Sequence, residues 1–287
     1  MRPLNHSFPP QTIHSNCLKA LVLDWAGTTV DFGSLAPART LQHLFAEAGI
    51  ALSEAETRRD MGLPKKEHIW GILSMPRVRD AWRELRGRTP IDADVEEMFG
   101  KFVPLQFSCL DHYSSVIPGV PFAVEIIRAR GLKIGSTTGY TRAMLDLLVD
   151  KSAAEGYRPD CSLAPEEVGA GRPYPFMMYE AAIRMQVYPM SAIAKIGDTP
   201  ADIQEGLNAG AWSIGVAGTG NMVGLSREDF RALSESQKEL RLSEARAGLE
   251  KAGAHYVIDT LDQLESVLDD IDERLKGATS SLLSAHE

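Results

Sequence analysis

Short apolar runs that close on a polar or acidic residue, each followed by a helical stretch, recur along this chain and constrain its fold more than any other feature. Residues 18–24 (LKALVLD) read as a buried strand ending in an acid. Residues 132–137 (LKIGST), 193–198 (IAKIGD) and 212–216 (WSIGV) repeat the pattern, and 255–258 (HYVI) is a weaker fifth. Helical patterns over 121–130, 141–151, 173–185, 200–209 and 261–275 separate them. Strands alternating with helices specify an α/β fold, a doubly wound parallel sheet covered on both faces. Such sheets carry their chemistry at the carboxyl ends of the strands. Asp24, Ser136, Thr137, Thr138 and Asp198 stand at those ends.

One stretch interrupts the alternation. Residues 32–111 show no strand pattern but helical ones at 37–48, 54–60, 65–73, 78–85 and 94–110. The expectation is a helical cap domain inserted after the first strand, over the active edge of the sheet. Pro118-Gly119 marks the return to the core, and the charged stretch 226–249 reads as a solvated surface helix. The organisation expected is a mobile tail over 1–17, a core from 18–31 and 112–275, a cap over 32–111 and a C-terminal tail over 276–287.

Bulk properties bound the function. A chain of 287 residues can bury a sizeable core without staples. Its net charge of −9 argues against general nucleic-acid or membrane-surface binding, so an anionic ligand would need local cations. Cys17, Cys109 and Cys161 are far apart and lack metal-ligand spacing; they read as reduced thiols of a cytoplasmic protein. No apolar run approaches the ~20 residues of a membrane span, and the first seventeen residues lack the apolar stretch of a signal peptide.

Four constellations carry chemistry. The run DWAGTTVD at 24–31 sets a carboxylate at a strand tip, before a glycine-containing loop whose N–H groups can cradle phosphate oxygens. The run GDTPAD at 197–202 places Asp198 at a strand end and Asp202 in the first turn of the next helix, where Pro200 suits an early position. Acids there also favour the helix dipole, but together with Asp24 they make an oxygen-rich site for Mg²⁺, a hard cation. The run STTG at 136–139 offers hydroxyls and N–H groups to a phosphoryl group, or ordinary helix caps. In GRPYP at 171–175, Arg172 is a candidate oxygen clamp or a surface arginine.

In this order the four motifs resemble those of the haloacid dehalogenase superfamily. The resemblance spans the whole core and implies a Rossmann-like fold in which an aspartate attacks phosphorus to give an aspartyl-phosphate. It implies Asp24 as the nucleophile. Mg²⁺ would be held by Asp24, the Ala26 carbonyl and Asp198, with Asp202 in support, and the phosphoryl group by Thr137, Thr138, Gly139 and Arg172.

The first motif departs from the superfamily's usual DxD, because Ala26 replaces the second acid. That acid protonates a departing alkoxide, help worth about 10²–10⁴ in rate, so an ordinary phosphomonoesterase or phosphomutase is disfavoured. A carbon leaving group fits better. Breaking a P–C bond leaves a carbanion, which becomes tolerable when a neighbouring carbonyl has first been converted to an iminium by a lysine. The run MGLPKKEH at 61–68 supplies one: Lys65 would sit in a helix's first turn behind Pro64, where dipole and burial disfavour the charged amine. His68, three residues on, shares its helix face and could move protons. Lys66 is the alternative lysine.

Together DWAGTTVD, the cap run, GSTTGYTR, AGRPYP and KIGDTPAD resemble the phosphonoacetaldehyde hydrolase family over roughly residues 18–275. The resemblance implies a Schiff base on Lys65, with Met61 and His68 beside it, and hydrolysis of the carbon–phosphorus bond of phosphonoacetaldehyde to acetaldehyde and phosphate, in 2-aminoethylphosphonate degradation. It further implies a homodimer formed through the cap, where Trp70 and Trp82 are available. Some relatives in that family carry a cysteine where Ser34 stands here; the serine keeps a hydrogen-bonding group at that position. A non-catalytic binding relative is a third reading, opposed by the intact set Asp24, Lys65, Arg172 and Asp198.

Overall fold

The computed structural model describes residues 17–284; the remainder of the two expected tails lies outside it. Strand β1 is Ala20–Leu23. Five helices follow with no strand among them: α1 (Leu35–Glu47), α2 (Glu54–Arg58), α3 (Lys65–Leu73), α4 (Pro76–Arg86) and α5 (Asp92–Leu110). The chain then alternates through α6 (Val120–Ala129), β2 (Lys133–Thr137), α7 (Arg142–Ala154), β3 (Cys161–Leu163), α8 (Phe176–Met185), β4 (Ile193–Gly197), α9 (Pro200–Ala209) and β5 (Trp212–Val216). Helices α10 (Arg227–Ala232) and α11 (Glu235–Lys251), strand β6 (Tyr256–Ile258) and helix α12 (Leu264–Ser284) complete it.

The strands form one parallel sheet in the order β3-β2-β1-β4-β5-β6. The chain winds one way from β1 to β3 and the other way from β4 to β6, so β1 and β4 flank the switch point where a crevice opens. Leu23 lies level with Ser136 on β2 and Ile196 on β4, so Asp24 emerges beside the ends of both neighbours. Side chains of β1 alternate between faces, as a strand buried on both sides requires. Ala20 and Val22 join Met177, Met178 and Ala181 of α8, while Leu21 and Leu23 join Ile134, Met144 and Leu145 on the opposite face.

The insertion packs α1 and α3 against α5. Its buried Leu41, Phe45, Ile69, Ile72 and Phe102 belong to the same apolar cluster as Leu21 and Ile134. The cap is therefore seated on the core rather than held away from it. Trp82 is packed inside the chain at 1% exposure, whereas Trp70 is 42% exposed.

Several element boundaries differ from the sequence expectation. The edge strand β3 was not foreseen, because three residues are too few to establish a period. Stretch 226–249 is two helices, since Ser234 caps a fresh start with Gln237, and Ala245 and Leu249 of α11 are buried, so this surface is not wholly solvated. Helix α8 begins at Phe176, after the two prolines of its approach. The last helix continues to Ser284, past residue 275 where a tail was expected.

Candidate active site

The switch point gathers three acids. Asp24 follows β1, Asp198 follows β4, and Asp202 lies in the first turn of α9. One carboxylate oxygen from each falls within 4.8 Å of the others, and all three side chains are buried. Local sequence explains the convergence. The Asp24 N–H donates to Ile196 O at 2.9 Å, tying the two strand tips together. Gly27 turns the loop with φ +85°, and a Cβ there would collide with the Asp198 carboxylate. Thr199 and Asp202 form a capping box that starts α9, with Pro200 at its first position.

Two buried cations stand behind these acids. Arg172 donates from Nη2 to Asp24 Oδ1 at 2.7 Å and to Thr137 O at 2.6 Å, and from Nε to Glu205 Oε2 at 3.0 Å. Its Nη1 sits 2.8 Å from Asp202 Oδ1, an ion pair by distance without hydrogen-bond alignment. Lys195, inside β4, places Nζ 2.8 Å from Thr137 Oγ1, 3.0 Å from Asp202 and 3.1 Å from Glu205. The acids respond differently. Burial pushes Asp202 up, but Arg172 and Lys195 hold it below the ordinary carboxylate range. Burial raises Asp24 despite Arg172. Burial, then Asp24 and Asp202, raises Asp198 well above the usual range.

Asp198 makes two hydrogen bonds, from the Thr28 hydroxyl at 3.0 Å and the Asn221 N–H at 2.7 Å. It has no ion-pair partner among the described residues, so an unbalanced acid faces Asp24 in a buried site. A buried carboxylate in that position is costly unless a cation joins it. Ala26 lines the adjoining cavity, and its carbonyl accepts no hydrogen bond among the described residues. Hard oxygen donors with surplus negative charge suit a divalent cation such as Mg²⁺. Asp202 is the acid least in need of it, because it already faces two cations.

Above the acids, a small cavity of about 20 Å³ lies between the core and the cap. Asp24, Ala26, Thr138, Gly139 and Arg172 line it from the core; Ser34, Met61, Gly62 and Lys65 line it from the insertion. The fit is tight enough to demand glycine on both sides. A Cβ at Gly62 would strike the Thr199 hydroxyl, and one at Gly139 would lie 2.6 Å from Leu63 O. Lys65 opens α3 behind Pro64 and is 6% exposed. Burial lowers its pKa from 10.5 to about 8, with Arg172 assisting and Asp24 opposing. Its Nζ lies 5.4 Å from the centre of the Tyr140 ring. Lys66 points elsewhere and pairs with Glu96 at the surface, 2.6 Å away.

Four expected site residues lie outside the cavity lining: Asp198 and Asp202, which sit below it with Asp24, and His68 and Thr137. His68 is fully buried, its Nε2 2.8 Å from Thr57 O. A carbonyl can only accept, so Nε2 carries the hydrogen and Nδ1, which has no partner among the described residues, is the bare nitrogen. Burial and then Lys65 lower its pKa to about 3, so the ring is neutral near pH 7. Thr137 turns its hydroxyl to Arg172, Lys195 and Glu205.

Sequence reasoning assigned no role to Lys195, Glu205 or Tyr140. Lys195 left a signal: a lysine inside an otherwise apolar buried strand needs a partner. Glu205 follows Asp202 by three residues on one helix face. Tyr140 lines the cavity, but its lone place in GSTTGYTR gave no direction.

Comparison with known proteins agrees with this geometry. A family model described as haloacid dehalogenase-like hydrolase matches residues 18–210. The phosphonoacetaldehyde hydrolase of Bacillus cytotoxicus is 40% identical over 257 residues, covering 90% of this chain and 97% of its own. That of Bacillus anthracis matches at the same identity and coverage. Among solved structures, a phosphonoacetaldehyde hydrolase-like protein from Oleispira antarctica superposes with a TM-score of 0.88 at 39% identity, covering 90% of this chain and 94% of its own.

Proposed function

Since the chain belongs to the haloacid dehalogenase-like hydrolases, and to the phosphonoacetaldehyde hydrolase family within them, we propose that it cleaves the carbon–phosphorus bond of phosphonoacetaldehyde to acetaldehyde and phosphate, as a step in 2-aminoethylphosphonate degradation. The observation that carries this reading is Lys65. A dehydrated lysine with a pKa of about 8 shares one small cavity with Asp24 and Arg172, while Ala26 stands where an alkoxide-protonating acid would be needed.

The steps follow from the residues. The neutral Lys65 amine adds to the aldehyde carbon, and loss of water leaves an iminium. Arg172, Thr138 and the Gly139 N–H hold the phosphonate oxygens, and Asp24 attacks phosphorus. The P–C bonding pair flows into the iminium, so an enamine departs and Asp24 carries the phosphoryl group. Protonation of the enamine carbon and hydrolysis of the imine free acetaldehyde and Lys65, and water releases phosphate from Asp24. Asp24, the Ala26 carbonyl and Asp198, with Asp202 in support, would hold Mg²⁺, whose charge would offset that of the phosphonate and the attacking carboxylate. Met61 packs against the aldehyde end. The neutral His68 ring, with a bare Nδ1 one helical turn from Lys65, can accept a proton transiently as the imine forms and breaks.

Borohydride reduction in the presence of phosphonoacetaldehyde tests the imine. The expected result is a stable adduct on the Lys65 peptide, absent from Lys65→Arg. An adduct on Lys66, or none while phosphate is released, overturns it. Turnover of simple phosphate esters without turnover of phosphonoacetaldehyde would instead favour a phosphomonoesterase or phosphomutase. None of the described helices is long and apolar enough to cross a membrane. The exposed Trp70 supports a homodimer formed through the cap, which sedimentation measures.

A further inference from the structure

We propose that Arg58 and Asn221 form a latch that couples seating of the cap to the orientation of Asp198, so that the metal-binding carboxylate is fixed when the cap is closed. This deepens the function proposed above, because it takes Asp198 as a ligand of Mg²⁺.

Arg58 ends α2 in the cap, and its guanidinium reaches across to two segments outside the cap helices. Nη1 donates to Gly33 O at 2.9 Å and to Asn221 Oδ1 at 3.0 Å, and Nη2 donates to Gly224 O at 3.2 Å. The exchange is reciprocal: Asn221 Nδ2 donates to Arg58 O at 3.2 Å. One cap residue thus engages both ends of the Asn221 amide, which fixes its orientation. Asn221 is 5% exposed, and its backbone N–H is one of the two donors to Asp198. Gly224 makes room for the contact, since a Cβ there would lie 2.8 Å from Arg58 Nε.

The loop that carries Asn221 is also tied to the nucleophile's loop. The Thr219 hydroxyl donates to Gly27 O at 2.7 Å, and the Gly33 N–H donates to Thr219 O at 2.8 Å. Neither Arg58 nor Asn221 lines the cavity, so both are positioning residues. Hydrogen bonds from a charged donor are the stronger kind. Lifting the cap withdraws them from the loop and releases the Asn221 N–H from its register with Asp198 Oδ2. By linkage, anything that fixes Asp198 favours the closed cap by the same factor.

Calorimetric titration of Mg²⁺ into the substrate-free full chain reads the coupling directly. Outer partners of metal ligands are worth about 10–100-fold in affinity, so Arg58→Ala and Asn221→Ala should each weaken Mg²⁺ about tenfold, the low end for a group one residue removed. Acting through each other, they should be non-additive, and the double variant should also be about tenfold weaker. Hydrogen exchange of the 219–224 peptide should quicken in Arg58→Ala. Mg²⁺ affinity within about twofold of wild type in either single variant, or a double variant weaker by the product of the two, overturns the latch. If Arg58→Ala does not fold, Asn221→Ala decides by the same threshold. The readout needs no phosphonate, so a wild type that releases no acetaldehyde would defeat the proposed function and leave this test standing.

Discussion

Replacing Lys65 by methionine should abolish activity and stabilise the protein, by an amount that depends on pH. The ammonium is stripped of water in the closed cavity, which lowers its pKa from 10.5 to about 8. At about 1.4 kcal/mol per pH unit, holding this lysine costs the folded chain about 3 kcal/mol at pH 7. The sign follows from proton counting. Between about 8 and 10.5 the unfolded chain binds more protons than the folded one, so wild-type stability rises with pH in that window; below about 8 the cost is constant. Methionine fills the stem's volume without a charge and carries no such cost. Urea unfolding of both proteins at pH 7 and pH 10 isolates the effect. Lys65→Met should be more stable by about 3 kcal/mol at pH 7 and by about 1 kcal/mol at pH 10. An equal gain at both pH values, or a loss, would mean that the amine is not dehydrated in the folded state, and the argument for a nucleophilic lysine would fall with it.

The same titration sets the rate. Since imine formation needs the neutral amine, kcat/KM should rise with pH to a plateau above an apparent pKa of about 8; a midpoint near the ordinary lysine value would contradict this. Arg172→Lys keeps a charge but loses the planar fork that reaches Asp24, Thr137 and Glu205, and kcat/KM for phosphate release should fall about 100-fold or more. Chelating divalent ions should lower the unfolding midpoint, and Asp198→Asn, which removes the unbalanced acid, should make the metal-free protein more stable by about 1–3 kcal/mol and insensitive to added Mg²⁺. Gly62→Ala puts a methyl against Thr199 at φ +91° and should cost about tenfold or more in kcat/KM, through a cap that no longer seats.

Asp24, Asp198, Arg172 and Lys65 were legible in the sequence because each follows a local rule. An acid closes an apolar strand, a cation stands just before a proline, or a lysine opens a helix behind one. Periodicity likewise determined the parallel α/β core and the helical insertion, since both are set by side-chain spacing along the chain. Tertiary structure decided what spacing cannot reach. It balanced Asp202 against Arg172 and Lys195 but left Asp198 without a cation among the described residues, set Thr137 and His68 behind the cavity, and buried Lys65 while leaving the adjacent Lys66 at the surface. These are matters of charge and water around a residue, and they depend on segments far apart in the chain. Arg58 shows the limit: nothing in its neighbours' sequence points to Asn221, 163 positions away, and only the seating of the cap brings the two together.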